Sequence, residues 1–380
     1  MEPMEPDKIP VIAGLLIFAA SVLSLKLGLS VAIFEILLGL AAGSLGLAPA
    51  GWMVYIAGFG GIVLTFLAGA EVDVKLLRDN FSKAALLSFF SFAAPLAAGF
   101  LFCRYIAGWG AAASAIGGIA LSETSLAVVY SVLVETGRAG TKTGKLLMAC
   151  TFLTNTLTAL ALSAAFLKPN FYTSVFLAVS GAFLIFAWRF SGGILRHPAL
   201  AGKVVEPEIK YIFFVLLAFI YLAELGASQA MLPAFAFGLI MSGHFKEGAA
   251  AAPVKARLRT VAYAFITPLF FIVAGMKVSL PALLGTAGLF AALFLVKQGA
   301  KFAGVYFLAR KFFPANSGYF TLLMSTGLTF GLMAALFGLR AGLLDAAQYS
   351  VLTGVLIASA VIPTFAAQRW FPPVEEEDLV

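Results

Sequence analysis

Apolar residues run along this chain in long unbroken blocks, separated at short intervals by polar or helix-terminating residues. The blocks fall near 9–28, 30–48, 53–72, 83–106, 110–134, 144–167, 171–192, 209–226, 229–245, 258–278, 282–309, 316–338 and 346–368. A helix crosses a bilayer with about 20 apolar residues, and most of the blocks approach or exceed that length. Pro49, Lys168-Pro169-Asn170, Pro281 and Pro314 stand at joints between them, where a residue that breaks a helix is expected. The strands of a membrane barrel would alternate in polarity over about 10 residues, and these blocks do not alternate. The pattern predicts an all-α polytopic membrane protein of thirteen transmembrane helices.

Composition agrees. Of the 380 residues 62% are hydrophobic and 11% charged, with a mean hydropathy of +1.01. A soluble domain is about 45–50% apolar and about 25% charged, so the water-soluble classes are excluded and the bilayer becomes the first partner. The 37 glycines suit helices that approach closely in lipid. The net charge of +7 follows topology rather than nucleic acid. Eighteen Lys and Arg residues, from Lys26 to Arg369, follow odd-numbered runs, whereas Lys8, Arg104, Lys168, Lys277 and Arg340 lie on the other side. Cytoplasmic loops collect Lys and Arg. The N-terminus is therefore expected outside and the C-terminus in the cytoplasm, in a cell or inner membrane.

The remaining basic residues, Lys297 and Lys301, lie inside the eleventh run, where an ionisable group is costly and tends to be functional. Of the carboxylates, Glu35, Glu71, Asp73, Glu123 and Glu224 lie within or at the edge of runs. Glu123 is midway through the fifth, in the polar island Ser122-Glu123-Thr124-Ser125. A second island, Thr151, Thr154, Asn155, Thr156 and Thr158, lies in the sixth run, and a third, Ser325-Thr326-Gly327-Leu328-Thr329, in the twelfth. Interrupted spans in corresponding places of two halves point to an inverted-repeat transporter with its site at the midplane, so the fifth and twelfth helices are expected to be broken and crossed. Glu35 shares a helix face with Gly39 and Gly43 and reads as packing. Glu71 and Asp73 read as an ion-pair cluster with Lys75 and Arg78, with a weaker claim on the ion. Cys103, Cys150, His197 and His244 carry no metal-ligand spacing, and no nucleotide loop or nucleophile set appears. No cofactor, no resident metal and no enzyme activity are expected.

Several ordered segments resemble the monovalent cation:proton antiporter-2 family, the Kef-type and Nap-type exchangers. They are Phe66-Leu67-Ala68-Gly69-Ala70-Glu71-Val72-Asp73, Leu121-Ser122-Glu123-Thr124-Ser125, Leu232-Pro233-Ala234-Phe235, Thr267 to Gly275, and Leu323 to Gly331. The resemblance implies exchange of Na+, or K+, for H+ by an elevator-like shift in a homodimer. It implies a dimerisation part of helices 1–3 (residues 1–81) and 8–10 (208–280). The ion-carrying core would be helices 4–6 (82–168) and 11–13 (281–370). A linker helix and loop (169–207) and an acidic tail (371–380) complete the chain.

One departure touches the centre of the expected site. The family usually carries Asp-Asp or Asn-Asp in the middle of helix 6, which aligns here with Thr154-Asn155, and its helix-11 lysine matches Lys301 best, with Lys297 one turn away. Asn155 can ligate a cation but cannot exchange it for a proton. Three readings follow: Glu123 supplies the charge, facing Asn155 with Ser122, Thr124, Ser325 and Thr326 around it; or Asn155 mimics a protonated Asp and transport is impaired; or the fold serves as a sodium-coupled organic-anion symporter, a channel or a sensor.

Overall fold

The computed structural model describes residues 8–27, 29–71, 78–166, 171–196, 206–226, 230–246, 252–278 and 280–374, and every regular element among them is helical. In chain order these are α1 (Ile9–Leu27), α2 (Val31–Ser44), α3 (Gly51–Glu71) and α4 (Phe81–Leu101). Then come α5, in halves α5a (Ala111–Ser122) and α5b (Leu126–Glu135), α6 (Lys142–Phe166), α7 (Phe171–Arg196), α8 (Pro207–Leu225) and α9 (Met231–Lys246). The last are α10, in halves α10a (Ala252–Val261) and α10b (Thr267–Met276), α11 (Ala287–Phe312), α12, in halves α12a (Ser317–Met324) and α12b (Thr329–Arg340), and α13 (Ala346–Trp370). Among the described residues 10 stretches have the length and apolarity to cross a membrane, and α2 and α9 are apolar but shorter.

The helix ends are set by local chemistry. Asp345 caps α13: its carboxylate accepts the Gln348 backbone N–H at 2.8 Å, while the Gln348 side chain accepts the Asp345 N–H at 3.0 Å, satisfying two donors a helix start leaves open. Pro95 and Pro363 lie inside α4 and α13, a placement membrane helices tolerate when neighbours satisfy the freed backbone groups. A π-helical turn at Phe102–Ile106 ends α4, and another at Ala262–Ile266 joins the halves of α10.

Basic residues expected in loops extend helices instead. Lys83 lies in the first turn of α4, Lys142 and Lys145 open α6, and Lys255, Arg257 and Arg259 belong to α10a. Apolarity marks only the lipid-facing length of a helix, so charged first turns are invisible to it. Arg257 is fixed by Glu206, with Nε to Oε2 at 2.7 Å. The eleventh run likewise divides into a short turn, Leu280–Gly285, and α11.

Close packing depends on glycine. On α2 and α10b, Gly39 lies against the Ile272 carbonyl and Gly275 against that of Ile36; on α3 and α9, Gly69 lies against the Phe235 carbonyl and Gly238 against that of Phe66. A Cβ at any of these four positions would collide with backbone. Exchanging helices 1–6 with 8–13 turns the α3–α9 pair into α10–α2, so the same contact occurs twice. Against this pair of seams, α6 meets α9 differently: the rings of Phe152 and Phe235 stack with centroids 3.4 Å apart and planes within 7°. Overpacking a filled interior costs about 1–3 kcal/mol. Gly238→Val is therefore expected to lower the melting temperature in detergent, and Gly14→Ala, where the added carbon meets open space, to leave it unchanged.

Candidate ion site at two crossed helix breaks

α5 and α12 are interrupted where their polar islands lie. α5a ends at Ser122, and Glu123 is extended (φ −65°, ψ 161°). Ser125 restarts the helix, its hydroxyl accepting the Val128 N–H at 3.4 Å. α12a ends at Met324 and α12b begins at Thr329. The breaks touch, because the Thr124 hydroxyl donates to the Met324 carbonyl at 2.8 Å. α5a and α12b run antiparallel, with Gly331 beside Ala120 and Gly338 beside Ile116.

Glu123 is fully buried. One carboxylate oxygen accepts the Leu328 N–H and the other accepts the Phe330 N–H at 2.6 Å. These donors form the N-terminus of α12b, whose unpaired N–H groups and positive dipole end favour an anion. No hydrogen bond joins Glu123 to Asn155, whose amide oxygen instead accepts from the neighbouring Thr124 N–H. A helix start offers several aligned backbone donors, and the Glu123 carboxylate is held by two of them.

Lys301, also fully buried, donates from Nζ to Ser91 Oγ at 2.9 Å, to the Ser122 carbonyl at 2.8 Å and to Thr124 Oγ1 at 2.9 Å. Three acceptors match the three protons of an ammonium, and all three are neutral. Lys297 is buried one turn earlier, and its Nζ has no hydrogen-bond partner among the described residues. It lies against Gly327, where a Cβ would collide with it, and Glu123 is the opposite charge in its field.

Asn155 Oδ1 accepts the Thr124 N–H at 3.4 Å, tying α6 to the break in α5. Thr154 bonds back to the Cys150 carbonyl at 2.9 Å, Ser122 to that of Ile119 at 2.8 Å, Ser325 to that of Thr321 at 2.7 Å and Thr326 to that of Leu323 at 2.7 Å. The structure thus gathers Ser122, Glu123, Thr124, Asn155, Lys297 and Lys301 at one place. Thr154, Ser325 and Thr326 border it with hydroxyls spent on their own helices. Asp73 lies outside the described residues, as does the side chain of Glu71.

Sequence reasoning missed the groups that complete the site. Ser91 reaches it from α4, where its spacing from Ser88 in an apolar helix was the available signal. Gln298 donates to the Ser325 carbonyl at 3.5 Å and Ser359 to that of Gly327 at 3.2 Å, filling acceptors the break exposes. The donors to Glu123 are backbone and carry no side-chain signature. A cavity of about 250 Å³ between α3, α10b, α12b and α13 ends at Thr329, the first residue of α12b.

The family model described as sodium/hydrogen exchanger, transmembrane, matches residues 12–371. The chain belongs to that family. It is accordingly a multi-pass membrane protein and a secondary transporter, not an enzyme. Similar proteins include a probable Na(+)/H(+) antiporter 3 of Methanocaldococcus jannaschii, 27% identical, the match taking in 62% of this chain and 61% of that relative. The Na(+)/H(+)-K(+) antiporter GerN of Bacillus cereus is 22% identical over 90% of this chain and 89% of its own. An Na(+)/H(+) antiporter of Enterococcus hirae is 25% identical over 90% and 91%. The fold is that of the solved sodium proton antiporter MjNhaP1 of M. jannaschii, with TM-score 0.67 and 13% identity over 96% of this chain and all of that one.

Hydrogen bonds to a charged group contribute about 1.5–3 kcal/mol. Glu123→Gln removes that charge and is expected to lower the melting temperature of purified protein clearly more than Thr326→Val, which removes only a local bond to the Leu323 carbonyl.

Proposed function

We propose that this chain is a sodium/proton antiporter, exchanging Na+, with K+ as the alternative cation, for H+. The observation that carries the reading is the burial of three ionisable side chains, Glu123, Lys297 and Lys301, at the contact of two interrupted helices. Such groups are expensive in a membrane and mark ion pathways. The activities named for the relatives support the choice of ions, and the name of GerN supports K+ as the alternative.

The ammonium of Lys301 occupies an oxygen set a sodium ion would also use: Ser91 Oγ, the Ser122 carbonyl and Thr124 Oγ1. When Lys301 releases its proton and withdraws, a sodium ion takes those oxygens, with the Asn155 amide oxygen beside them. When the ion leaves, a proton returns to Lys301. Glu123, held by α12b, keeps a fixed negative charge through both states. Proton and cation then compete for one place without a carboxylate at position 155. In this reading the exchanging group is Lys301 rather than Glu123.

Alternating access would follow from a shift of the core (82–168 and 281–370) past the dimerisation part (1–81 and 208–280) of a homodimer, with α7 as the link. The Lys and Arg distribution supports an outside N-terminus, and the cavity that ends at Thr329 then opens outward.

Exchange is tested in proteoliposomes with a pre-set pH gradient and added Na+ or K+. The chain is expected to dissipate the gradient, and Lys301→Met and Glu123→Gln to fall to the level of empty vesicles. Undiminished exchange by Lys301→Met would remove the lysine from the cycle. A silent chain in which Asn155→Asp restores exchange would mean that Asn155 stands in for a protonated carboxylate.

A further inference from the structure

Where α4 and α6 begin and α11 ends, the helices frame a cavity of about 430 Å³, a size within the about 300–1,000 Å³ of small-ligand sites. Lys83 and Lys142 line it, together with Asn80, Thr143, Phe312 and Asn316. The Lys83 ammonium lies over the Phe312 ring, 6.0 Å from its centroid, a distance at which a ring face attracts a cation. Neither lysine forms an ion pair with a described carboxylate, Asp79 on the adjoining segment included. Thr143 and Asn316 also line a second cavity, of about 350 Å³, which Arg138 borders. A cleft lined by charges of one sign concentrates ions of the other, so this one is made for an anion.

The surface that continues from the cavity is apolar. On α4, Leu86 and Phe90 follow Lys83 by three and seven residues, hence on its face, and both are exposed. Phe90 stands about 10 Å along the helix from Lys83. α11 runs antiparallel beside it, since Lys83 meets Phe312 and the Phe90 carbonyl meets Gly304. Phe307 of α11 is 72% exposed. A soluble anion would use the basic cavity alone, and an apolar partner only the exposed side chains. A phospholipid of net negative charge has both parts in this order, its head group at the helix ends and its acyl chains along the span. Basic pockets between transmembrane helices on the cytoplasmic side take such head groups, and the Lys and Arg distribution supports that side for this end of the molecule.

We propose that the cavity of Lys83 and Lys142 binds the head group of an anionic phospholipid whose acyl chains lie along α4 and α11. Its phosphate supplies the negative charge that the two ammonium groups lack. The helices that frame the cavity are those that bring Ser91, Asn155 and Lys301 to the ion site, so a bound lipid braces the scaffold of that site. The inference goes beyond the exchange reading and does not need it. Asn316 also holds Val374, accepting its N–H at 2.8 Å and donating to its carbonyl at 3.3 Å. The acidic residues Glu375 to Asp378, outside the described residues, follow in the sequence and are the rival occupant.

The test is the melting temperature of the full purified chain in detergent, titrated with dioleoylphosphatidylglycerol or with zwitterionic dioleoylphosphatidylcholine. The same titrations are run on Lys83→Gln, Lys142→Gln and the double variant. Phosphatidylglycerol is expected to stabilise the chain and phosphatidylcholine to leave it unchanged. The mole fraction for half of the effect is expected to rise about five-fold for each lysine removed. Lys83→Arg, which keeps the charge, is expected to respond as the chain does, and so is Lys26→Gln, at an exposed basic position on α1. An equal response in chain and double variant would overturn the site. So would a loss in Lys26→Gln as large as that in Lys83→Gln, which would mean diffuse surface charge. The same stabilisation by glycerol 3-phosphate would give the cavity to a soluble anion. A response that appears only when the chain is cut after Val374 would give it to the acidic residues, and either result would overturn the proposal. Should Lys83→Gln fail to fold, Lys142→Gln, at an exposed position, decides.

Discussion

A charge in the middle of a bilayer has to be cancelled by the protein itself, and the rest of this molecule is arranged around that requirement. Glu123 is cancelled by the start of α12b, and the ammonium of Lys301 by three neutral oxygens. Neither solution is available to continuous helices, whose N–H and C=O groups bond one another. The breaks at Glu123–Ser125 and at Ser325–Leu328 release the donors and acceptors that the charges need. The charges in turn make the broken backbone affordable in a place without water. Each defect compensates the other, and Thr124, bonded to Lys301, to Met324 and to Asn155 at once, holds the two breaks in register.

The consequence for the chemistry is a division of labour between groups of unlike kind. The carboxyl group of Glu123 is clamped by aligned backbone donors. Lys301 is held by three neutral oxygens, with no carboxylate among its hydrogen-bond partners. Asn155, which cannot ionise, then matters as an oxygen and as a tether of α6. Lys297 is the unusual member, buried against Gly327 with a polar head that finds no acceptor among the described residues.

Much of this was legible in the sequence because lipid imposes a strict grammar. Long apolar blocks gave the helices, and polar residues inside them, at 122–125, 154–158 and 325–329, stood out against that background and mark the places where the structure breaks or ties helices. What escaped was carried by groups that leave no such mark. The backbone N–H groups of Leu328 and Phe330 belong to apolar residues, and nothing in those residues announces that they hold Glu123. The charged first turns of α6 and α10a read as loops because hydropathy follows the solvent, not the helix.

The two kinds of helix seam differ in a way that resembles the parts of a machine bearing. Where α2 meets α10b and α3 meets α9, glycines bring backbone against backbone, so carbonyls sit like teeth in the notches of the partner and any slip must climb over them. Where α6 meets α9, two flat rings lie parallel, Phe152 on Phe235. The first seams are keyed by backbone, and the last is made by the faces of side chains.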